Sequence, residues 1–246
     1  MRKIVQNIEA YGNEELFSFD NRIIMNWYPV RVLKMLESLS LKKNELTVIE
    51  LGLGHGWSTA LFEKLEFSSY CVLEGDPAMI AKYQNEHKDS KLDIIETYFE
   101  DFHTTEKYDA IIMGYVLEHV DNPIMLLAQY KEFLKPHGHI YITVPNSESL
   151  HRRVGQKAGL LKDTKKLSEE DIKYGHKRYY DVDLLKRHCK EAGLMVNNIE
   201  GLFLKPITTK QFLSLDLSED VINAFCEMGV DYPELCTGLL AEVSRE

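Results

Sequence analysis

The chain has 246 residues, of which 44% are hydrophobic and 28% are charged, and these proportions are those of a folded globular protein. They exclude a collagen-like, low-complexity or fully disordered chain. Because 29 lysine and arginine residues stand against 39 aspartate and glutamate residues, the formal charge is -10, and nucleic acid and anionic lipid surfaces are disfavoured as partners.

Membrane and secretion signals are not evident in the sequence. The N-terminal segment lacks a continuous apolar run, and no apolar stretch approaches the roughly 20 residues of a membrane helix. The four cysteines, Cys71, Cys189, Cys226 and Cys236, are scattered without a CxxC pair, which indicates reduced, buried thiols rather than disulfides or a zinc site. We therefore expect a cytoplasmic protein without a membrane partner.

Between Thr47 and Val144, short β-branched runs alternate with amphipathic stretches, a pattern typical of parallel strands buried between crossover helices. Strands are predicted at 47–51, 70–74, 92–97, 108–113 and 139–144. Helices are predicted between them at 57–66, 77–87 and 123–134. Residues 134–138 are expected to end the last of these helices before the fifth strand begins. The fold class is therefore α/β, with a doubly wound sheet.

The flanking segments complete one predicted domain. Residues 1–45 form an N-terminal helical cap, in which a helix begins at Pro29 and places Val30, Leu33, Leu36 and Leu39 on one face. The core spans 46–145, and the polar segment 146–180 is interpreted as an inserted lid that forms the substrate pocket.

In the C-terminal part, 181–246, Asp181 is the predicted N-cap of a helix that ends at Gly193. The apolar segments 194–204 and 239–243 are predicted as a closing pair of strands, with a short helix from Ser218 to Gly229 between them.

The most informative stretch is VIELGLGHGW at 48–57, in which an apolar strand runs directly into three alternating glycines and a helix. A ligand can approach the backbone closely where no Cβ projects, and the helix start offers free N–H groups. The dinucleotide fingerprint needs its third glycine where Trp57 stands, and a P-loop needs a following Gly-Lys-Ser/Thr. The pattern favours a nucleoside ligand without pyrophosphate, with a purely structural turn as the alternative.

The segment ELGLGHG at 50–56 resembles the first motif of class I S-adenosylmethionine-dependent methyltransferases of the small-molecule type. The resemblance implies a Rossmann-like, seven-stranded and mostly parallel sheet, S-adenosyl-L-methionine as the cofactor, and a binding loop of Glu50, Gly52, Gly54 and Gly56. Glu74, at the end of the second strand, takes the place of the acidic residue that accepts hydrogen bonds from both ribose hydroxyls.

Two further segments resemble the same family in the expected order. YFEDF at 98–102 is similar to the segment that packs on the adenine, which makes Phe99, Glu100 and Asp101 candidates for the adenine pocket. GYVLEHVDNP at 114–123 resembles the motif after the fourth strand in quinone- and sugar-modifying methyltransferases, and it places Gly114 beside the cofactor.

Ubiquinone-pathway O-methyltransferases, which the latter motif resembles, hold a divalent cation with a Glu-x-x-Glu-His pattern. Here Tyr115 stands in the place of the first carboxylate, while Glu118 and His119 remain. The missing carboxylate disfavours a magnesium site, and we predict no metal.

The segment YGHKRYYD at 174–181 concentrates one histidine, two cations and three tyrosines, and similar segments in related methyltransferases lie over the acceptor. His176 is the first candidate for a catalytic base, with His119 and Tyr115 as further catalytic candidates; a packed structural role for His119 is the alternative. Candidates for substrate contact are Asn146, His151, Arg152, Arg178 and Tyr179. Arg152, with its neighbour Arg153, would recognise a phosphate or carboxylate, unless both lie on a solvated helical face.

The predicted function is S-adenosylmethionine-dependent methyl transfer to a hydroxyl or amine of a small polar metabolite, with a sugar or surface-polysaccharide building block as the example that the resemblance suggests. The sequence leaves homodimerisation open. Two alternatives remain: a dinucleotide-dependent oxidoreductase built on the same type of sheet, and a catalytically inactive protein that binds the cofactor.

Overall fold

The computed structural model describes residues 14–37 and 42–246, so the predicted helix position Leu39 lies outside the described residues. The described residues form seven strands in one sheet: β1 (Thr47–Leu51), β2 (Ser69–Glu74), β3 (Asp93–Glu96), β4 (Tyr108–Gly114), β5 (Leu134–Pro145), β6 (Leu194–Leu202) and β7 (Gly238–Arg245). Their spatial order is β3-β2-β1-β4-β5-β7-β6, and β7 alone runs antiparallel to the other six strands. The doubly wound, mostly parallel sheet is confirmed.

The helices lie between and around these strands. They are α1 (Glu14–Leu36), α2 (Trp57–Glu63), α3 (Pro77–Glu86), α4 (Pro123–Lys131), α5 (Leu150–Lys157), α6 (Glu169–Lys173), α7 (Val182–Glu191), α8 (Thr209–Leu213) and α9 (Glu219–Val230). Single 3-10 turns occur at Lys43–Glu45, Phe99–Asp101 and Pro233–Leu235.

Both faces of the sheet are buried, which explains why the central strands are nearly continuous apolar runs. In β4, Ile111 and Met113 pack into the apolar cluster on one face, while Ala110 and Ile112 pack into the cluster on the other. Successive side chains of a strand point to opposite faces, so a strand that is covered on both sides is apolar at most of its positions.

The chain reverses its direction of travel across the sheet at β1. Strands β2 and β3 continue on one side of β1, whereas β4 and β5 lie on the other. In open α/β sheets, a crevice forms at such a switch point beyond the carboxyl ends of the strands, and ligands bind there. The glycine-rich loop leaves β1 at this edge.

The helical cap is longer than predicted. Helix α1 extends from Glu14 to Leu36 and contains Pro29 in its interior, so the prediction that Pro29 begins the helix is wrong. An interior proline removes one backbone hydrogen bond. Ile24, Tyr28 and Val32 are buried one turn apart on both sides of Pro29, and this continuous contact with the core outweighs the loss.

Two helices end earlier than predicted, α2 at Glu63 instead of residue 66 and α4 at Lys131 instead of residue 134, and β5 starts earlier than predicted. Helix α2 ends at Glu63 because Glu66, three residues on, adopts a positive φ of 52° that no α-helix accommodates. Residues 134–138 lie within β5 and not, as predicted, before it. Leu134 already pairs with Tyr108, and residues 135–138 form a bulge before His139 pairs with Ala110. A bulge tolerates the proline in this segment because no ladder N–H is needed there.

The C-terminal predictions fit the structure closely. The Asp181 carboxylate accepts a hydrogen bond of 2.7 Å from the Leu184 N–H and so caps α7. Gly193, with φ of 71°, provides the left-handed residue that leads into β6. The segment 146–180, predicted as a lid with no helix bounds assigned, contains α5 and α6, and α8 was not predicted; all three helices are at most eight residues long.

Two expectations from composition concern cysteines and membrane spans. All four cysteines are free and buried, as predicted. Within residues 14–37 and 42–246, no helix combines the length and the apolar character needed to cross a membrane.

Candidate functional site

A cavity of about 320 Å³ lies at the carboxyl ends of β1, β2 and β4, between the cap helix and the lid. Its wall includes most of the predicted site residues: Glu50, Gly52, Gly54, Glu74, Phe99, Gly114, Tyr115, His119, Asn146, His151, Arg152, His176 and Tyr179. Four predicted residues, Gly56, Glu100, Asp101 and Arg178, lie outside this wall. The fold therefore brings the cofactor candidates and the catalytic candidates to one space.

The glycine loop has the backbone conformation that requires glycine. Gly52 and Gly54 have φ values of 86° and 51°, and the Gly52 N–H donates a 2.8 Å bond to the Leu73 carbonyl. A Cβ added at Gly54 would meet no atom of the described residues within 4 Å, so the space beside it is open to the cavity. Gly56 also has a positive φ, 75°, and an added Cβ there would lie 2.7 Å from the Tyr83 ring, so a glycine at this position also allows close packing against Tyr83.

Glu74 presents a buried carboxylate beside this loop. Its Oε2 accepts a 3.0 Å bond from the Leu53 N–H, and its Oε1 accepts a 2.9 Å bond from the Asp76 N–H. Burial raises the pKa of Glu74, and these backbone bonds oppose the rise. Each carboxylate oxygen can accept a second hydrogen bond. The open glycine loop and this doubly accepting carboxylate fit a nucleoside with two ribose hydroxyls.

Glu50 lies at the end of β1 and is held by hydroxyl groups. Thr59 donates to it at 2.9 Å, Tyr70 donates a short bond, and the hydroxyls of Tyr28 and Ser58 lie 3.5 Å away. Burial raises its pKa to about 7, and the hydroxyl bonds counteract the rise. Because its oxygens are engaged by these hydroxyls, Glu50 connects β1 with the cap helix, β2 and α2 and thereby positions the loop.

The residues predicted to form the adenine pocket lie in different surroundings in the structure. Phe99 lines the cavity, and its ring lies 3.5 Å from the position of a Cβ at Gly52. Glu100 and Asp101, on the same 3-10 turn, are exposed and lie outside the cavity wall. Phe99 is therefore the residue of this segment that is placed to contact a ligand held by the loop.

Glu118, which follows β4, is the most unusual group of the cavity wall. It is 0% exposed, and neither of its carboxylate oxygens has a hydrogen-bond partner among the described residues. Burial raises its pKa to about 7, and the positive charges of His176 and Arg178 partly offset the rise. Leaving a buried carboxylate unpartnered is costly, so this group is arranged to interact with something in the cavity.

His176 lies between two carboxyl groups. Its Nδ1 is 3.2 Å from Asp171 Oδ1, and Glu118 interacts with it electrostatically. Burial by itself would lower the pKa of His176, but the two carboxyl groups outweigh burial and raise it above the ordinary value. The other oxygen of Asp171, Oδ2, accepts hydrogen bonds from Tyr179 and Ser168, at 2.7 and 2.6 Å, which fix the orientation of this carboxylate.

His119 packs against His176, with ring centroids 4.8 Å apart and nearly perpendicular planes. Burial, followed by the charge of His176, lowers the pKa of His119 to about 3, so its imidazole is neutral. One ligand atom from each of Glu118, His119 and His176 lies within 4.8 Å of the others. Two imidazoles and one carboxylate form a ligand set that suits divalent transition metals, so these residues could also hold a cation.

Tyr115 is in a strained conformation at the end of β4. Its φ is 57°, and its N–H is held by the carbonyl and hydroxyl oxygens of Thr143, each at 3.0 Å. The hydroxyl of Tyr115 is buried and has no partner in the described part of the chain. Burial raises its pKa, so the phenol stays protonated and can donate a hydrogen bond.

The two arginines predicted to contact substrate are bonded within the protein. Arg152 donates to the carbonyls of Thr164 and Lys166 and to the Tyr179 hydroxyl, and its guanidinium stacks over the Tyr179 ring at 4.3 Å. Arg178 donates to the carbonyls of Leu117 and Val120, both at 2.6 Å. Arg152 therefore holds the lid together, and Arg178 holds the turn that carries Glu118 and His119.

Asn146 is similarly engaged. Its side-chain amide donates to the Cys236 carbonyl at 2.8 Å, and its Oδ1 accepts from the Glu148 N–H at 2.9 Å. It lines the cavity, yet these bonds direct its polar atoms to the backbone, where they fix the exit of β5.

Sequence reasoning did not single out four polar residues of the cavity wall: Asp20, Ser149, Asp171 and Lys205. Asp171 lies five residues before His176 and could have been found as an acidic neighbour of the proposed base. Asp20 and Lys205 meet only in the folded chain, and no motif contains them. Ser149 is a single serine at a helix N-cap, a common structural position.

Comparisons of the sequence with a family model and with known proteins both find methyltransferases. A family model described as a methyltransferase domain matches residues 26–198. A ubiquinone biosynthesis O-methyltransferase of Actinobacillus pleuropneumoniae serotype 5b is 25% identical over 193 residues, which are 74% of this chain and 81% of that protein.

Solved structures of similar fold are also methyltransferases. One from Thermotoga maritima, described as a SAM-dependent and possible histamine N-methyltransferase, has a TM-score of 0.61 at 15% identity and covers 98% of this chain and 97% of its own. A SAM-dependent methyltransferase from Archaeoglobus fulgidus has a TM-score of 0.58 at 17% identity, with coverages of 94% and 99%. At sequence identities of 15% and 17%, the similarity to these structures shows a shared fold.

Substitution of Gly54 tests the loop. We expect Gly54→Leu to abolish binding of S-adenosylmethionine, because the side chain would occupy the open space beside the loop. Gly159→Leu is the matched control: Gly159 has φ of 75° and, among the described residues, equally open surroundings, but it lies outside the cavity wall. Calorimetric titration of both variants decides; equal affinities would contradict the assignment of the loop.

Substitution of Glu74 tests the carboxylate. Hydrogen bonds to a charged group contribute about 1.5–3 kcal/mol each, so Glu74→Ala should weaken S-adenosylmethionine binding at least about tenfold. Glu96→Ala is the control, because Glu96 occupies the paired position on β3 and is exposed. Unchanged affinity of a folded Glu74→Ala protein in calorimetry would show that Glu74 does not contact the cofactor.

Proposed function

The chain belongs to the methyltransferase-domain family and uses S-adenosylmethionine as its methyl donor, and we propose that it methylates a hydroxyl group of a small polar metabolite. An amine acceptor is the related possibility within the same chemistry. The proposal treats residues 1–246 as one catalytic domain, with a cap at 1–45, a cofactor-binding core at 46–145, a lid at 146–180 and closing elements at 181–246. A cytoplasmic location and a small-molecule acceptor, without nucleic acid or membrane, belong to the same proposal.

The observation that supports this proposal most strongly is the position of His176. The imidazole lies in the wall of the cavity that also contains the glycine loop and Glu74, and the Asp171 carboxylate lies 3.2 Å from its Nδ1. A hydroxyl acceptor must lose a proton as it takes up the methyl group, whereas a neutral amine need only be positioned. A held imidazole beside the cofactor loop meets the first of these needs.

The bound cofactor supplies an electrophilic methyl group with a neutral sulfide as the leaving group. The chain has three tasks. The loop and Glu74 hold the nucleoside, the cap and lid exclude water from the cavity, and His176 accepts the proton of the acceptor hydroxyl. Asp171 and Glu118 then stabilise the imidazolium that forms, because both carboxyl groups act on the same ring.

A second candidate route uses a divalent cation. The convergence of Glu118, His119 and His176 favours it, since a cation held there would lower the pKa of a bound hydroxyl. The two routes differ in a simple measurement. Direct proton transfer to His176 predicts full activity after dialysis against a chelator, whereas the cation route predicts loss of activity and recovery with added metal.

The overall function is tested by acceptor-dependent turnover. We expect the protein to convert S-adenosylmethionine to S-adenosylhomocysteine in a filtered extract of small metabolites, and His176→Ala to lower this rate about a hundredfold or more, the range of a lost general base. His188→Ala is the control, because this half-buried histidine lies outside the cavity wall. Near-full turnover by His176→Ala with unchanged cofactor affinity would contradict the base role.

The pH dependence gives a second readout. The base works in its neutral form, so the rate should rise with pH through the raised pKa of His176, above the ordinary value of about 6.5. Asp171→Asn removes a charge that raises this pKa, so the rising limb should move to lower pH while the maximal rate falls. A profile that is identical in wild type and Asp171→Asn would show that His176 does not titrate in the reaction.

A further inference from the structure

Lys205 is a buried lysine in the cavity wall, on the side of the cap helix. It is 3% exposed, and lysine is almost never buried to this degree unless it is paired. Its ammonium donates to Asp20 Oδ2 and, at 2.8 Å, to the Thr209 hydroxyl. Thr209 itself donates to the same Asp20 oxygen at 2.7 Å. The three residues form one network between the cap helix and the segment after β6.

This network leaves hydrogen-bonding capacity in the cavity. An ammonium has three N–H donors, and the contacts with Asp20 and Thr209 use two of them. The other carboxylate oxygen of Asp20, Oδ1, is buried and has no partner within residues 14–37 and 42–246. Both Asp20 and Lys205 line the cavity. The pair therefore offers one donor and one acceptor side by side.

Two more unpartnered polar atoms belong to the same wall. The Nδ1 atom of His151 and the hydroxyl of Ser149 are buried, and neither has a hydrogen-bond partner in the described chain. Ser149 is 0% exposed. Burial, followed by the charges of Lys205 and Arg152, lowers the pKa of His151 to about 3, so this imidazole is neutral. Buried polar atoms without partners in the protein are the expected mark of a ligand site.

The charges of this wall select among ligand classes. A carboxylate or phosphate would face Asp20 Oδ1, and an ammonium would face Lys205, so either charge meets repulsion. Arg152 keeps its positive charge, but three of its N–H donors are bonded within the lid, including to Tyr179, so it is held there rather than free to pair with an anion. A hydroxyl both donates and accepts, which matches a mixed set of donors and acceptors. Ile24 and Met25 line the cavity beside this set and would cover the C–H face of a ring.

We propose that Asp20, Ser149, His151 and Lys205 form an outer subsite that binds a neutral, hydroxyl-rich ring of the methyl acceptor. This inference rests on the proposed function, because it assigns the substrate class of the same cavity. The subsite shares no residue with the group formed by Glu118, His119 and His176, which lines the same cavity and to which the proposed function assigns removal of the proton. One set of residues recognises the acceptor, and the other set acts on the hydroxyl that is methylated.

The experiment compares three ring compounds of similar size and different charge. Methyl glucoside is neutral, glucuronate carries a carboxylate, and glucosamine carries an ammonium. Each is titrated against the full-length protein saturated with S-adenosylhomocysteine, and binding is followed by saturation-transfer NMR. We expect the wild-type protein to bind methyl glucoside about tenfold or more tightly than either charged ring, the discrimination that one unfavourable buried charge contact produces.

Two substitutions should change this preference in opposite directions. Asp20→Asn leaves the charge of Lys205 unbalanced and should shift the preference to glucuronate. Lys205→Met leaves the charge of Asp20 and should shift the preference to glucosamine. Lys82→Met and Glu86→Gln are the controls, because they remove the same charges from an exposed pair on α3; both should keep the wild-type preference.

Several results would overturn the subsite. The first is that the wild-type protein binds none of the three rings, and the second is that it prefers a charged ring. The third is that the Asp20 and Lys205 variants are folded but keep the wild-type order of affinities. If a variant fails to fold, the wild-type order alone still decides. Failure of the proposed function is distinguishable, since it would appear as absent conversion of S-adenosylmethionine to S-adenosylhomocysteine in the turnover assay, which does not depend on the order of ring affinities.

Discussion

The burial of three carboxyl groups at one edge of the sheet is the constraint on which the rest of the site depends. Glu50 and Glu74 lie at the carboxyl ends of β1 and β2, Glu118 lies shortly after β4, and each is at most 6% exposed. Burying a carboxylate is unfavourable unless hydrogen bonds or opposite charges compensate. The three groups are compensated differently, by hydroxyls, by backbone N–H groups and by nearby cations, and these differences correspond to three roles.

Glu50, surrounded by hydroxyls, connects four elements and so fixes the loop that precedes α2. Glu74 accepts two backbone bonds and retains lone pairs toward the cavity. Glu118 has no hydrogen-bond partner among the described residues, and its charge acts on His176 instead. The fold therefore gives the three carboxyl groups different roles. Glu50 supports the structure, Glu74 is available to bind a ligand, and Glu118 is available to take part in the reaction. A sheet of this topology places all three at the switch point, where ligands bind.

Much of this arrangement could be predicted from sequence because it is local. The strand-to-glycine transition at 48–57, the acidic end of β2 and the positions of the first five strands along the chain all follow from short-range patterns. The contacts that complete the site are not local. Pro29 lies inside a helix because burial on both sides compensates for it, and Lys205 meets Asp20 only after β6 has joined the sheet edge. The exposure of Glu100 and Asp101 likewise depends on the turn that β3 leads into.

The glycine loop and Glu74 together favour a nucleoside sulfonium without pyrophosphate as the ligand of the cavity. The most direct test is parallel calorimetric titration of the wild-type protein with S-adenosylmethionine and with NAD. The account predicts saturable heat with one S-adenosylmethionine per chain and no saturable heat with NAD, because the third glycine of the dinucleotide fingerprint is replaced by Trp57. Saturable binding of NAD, with none of S-adenosylmethionine, would contradict it.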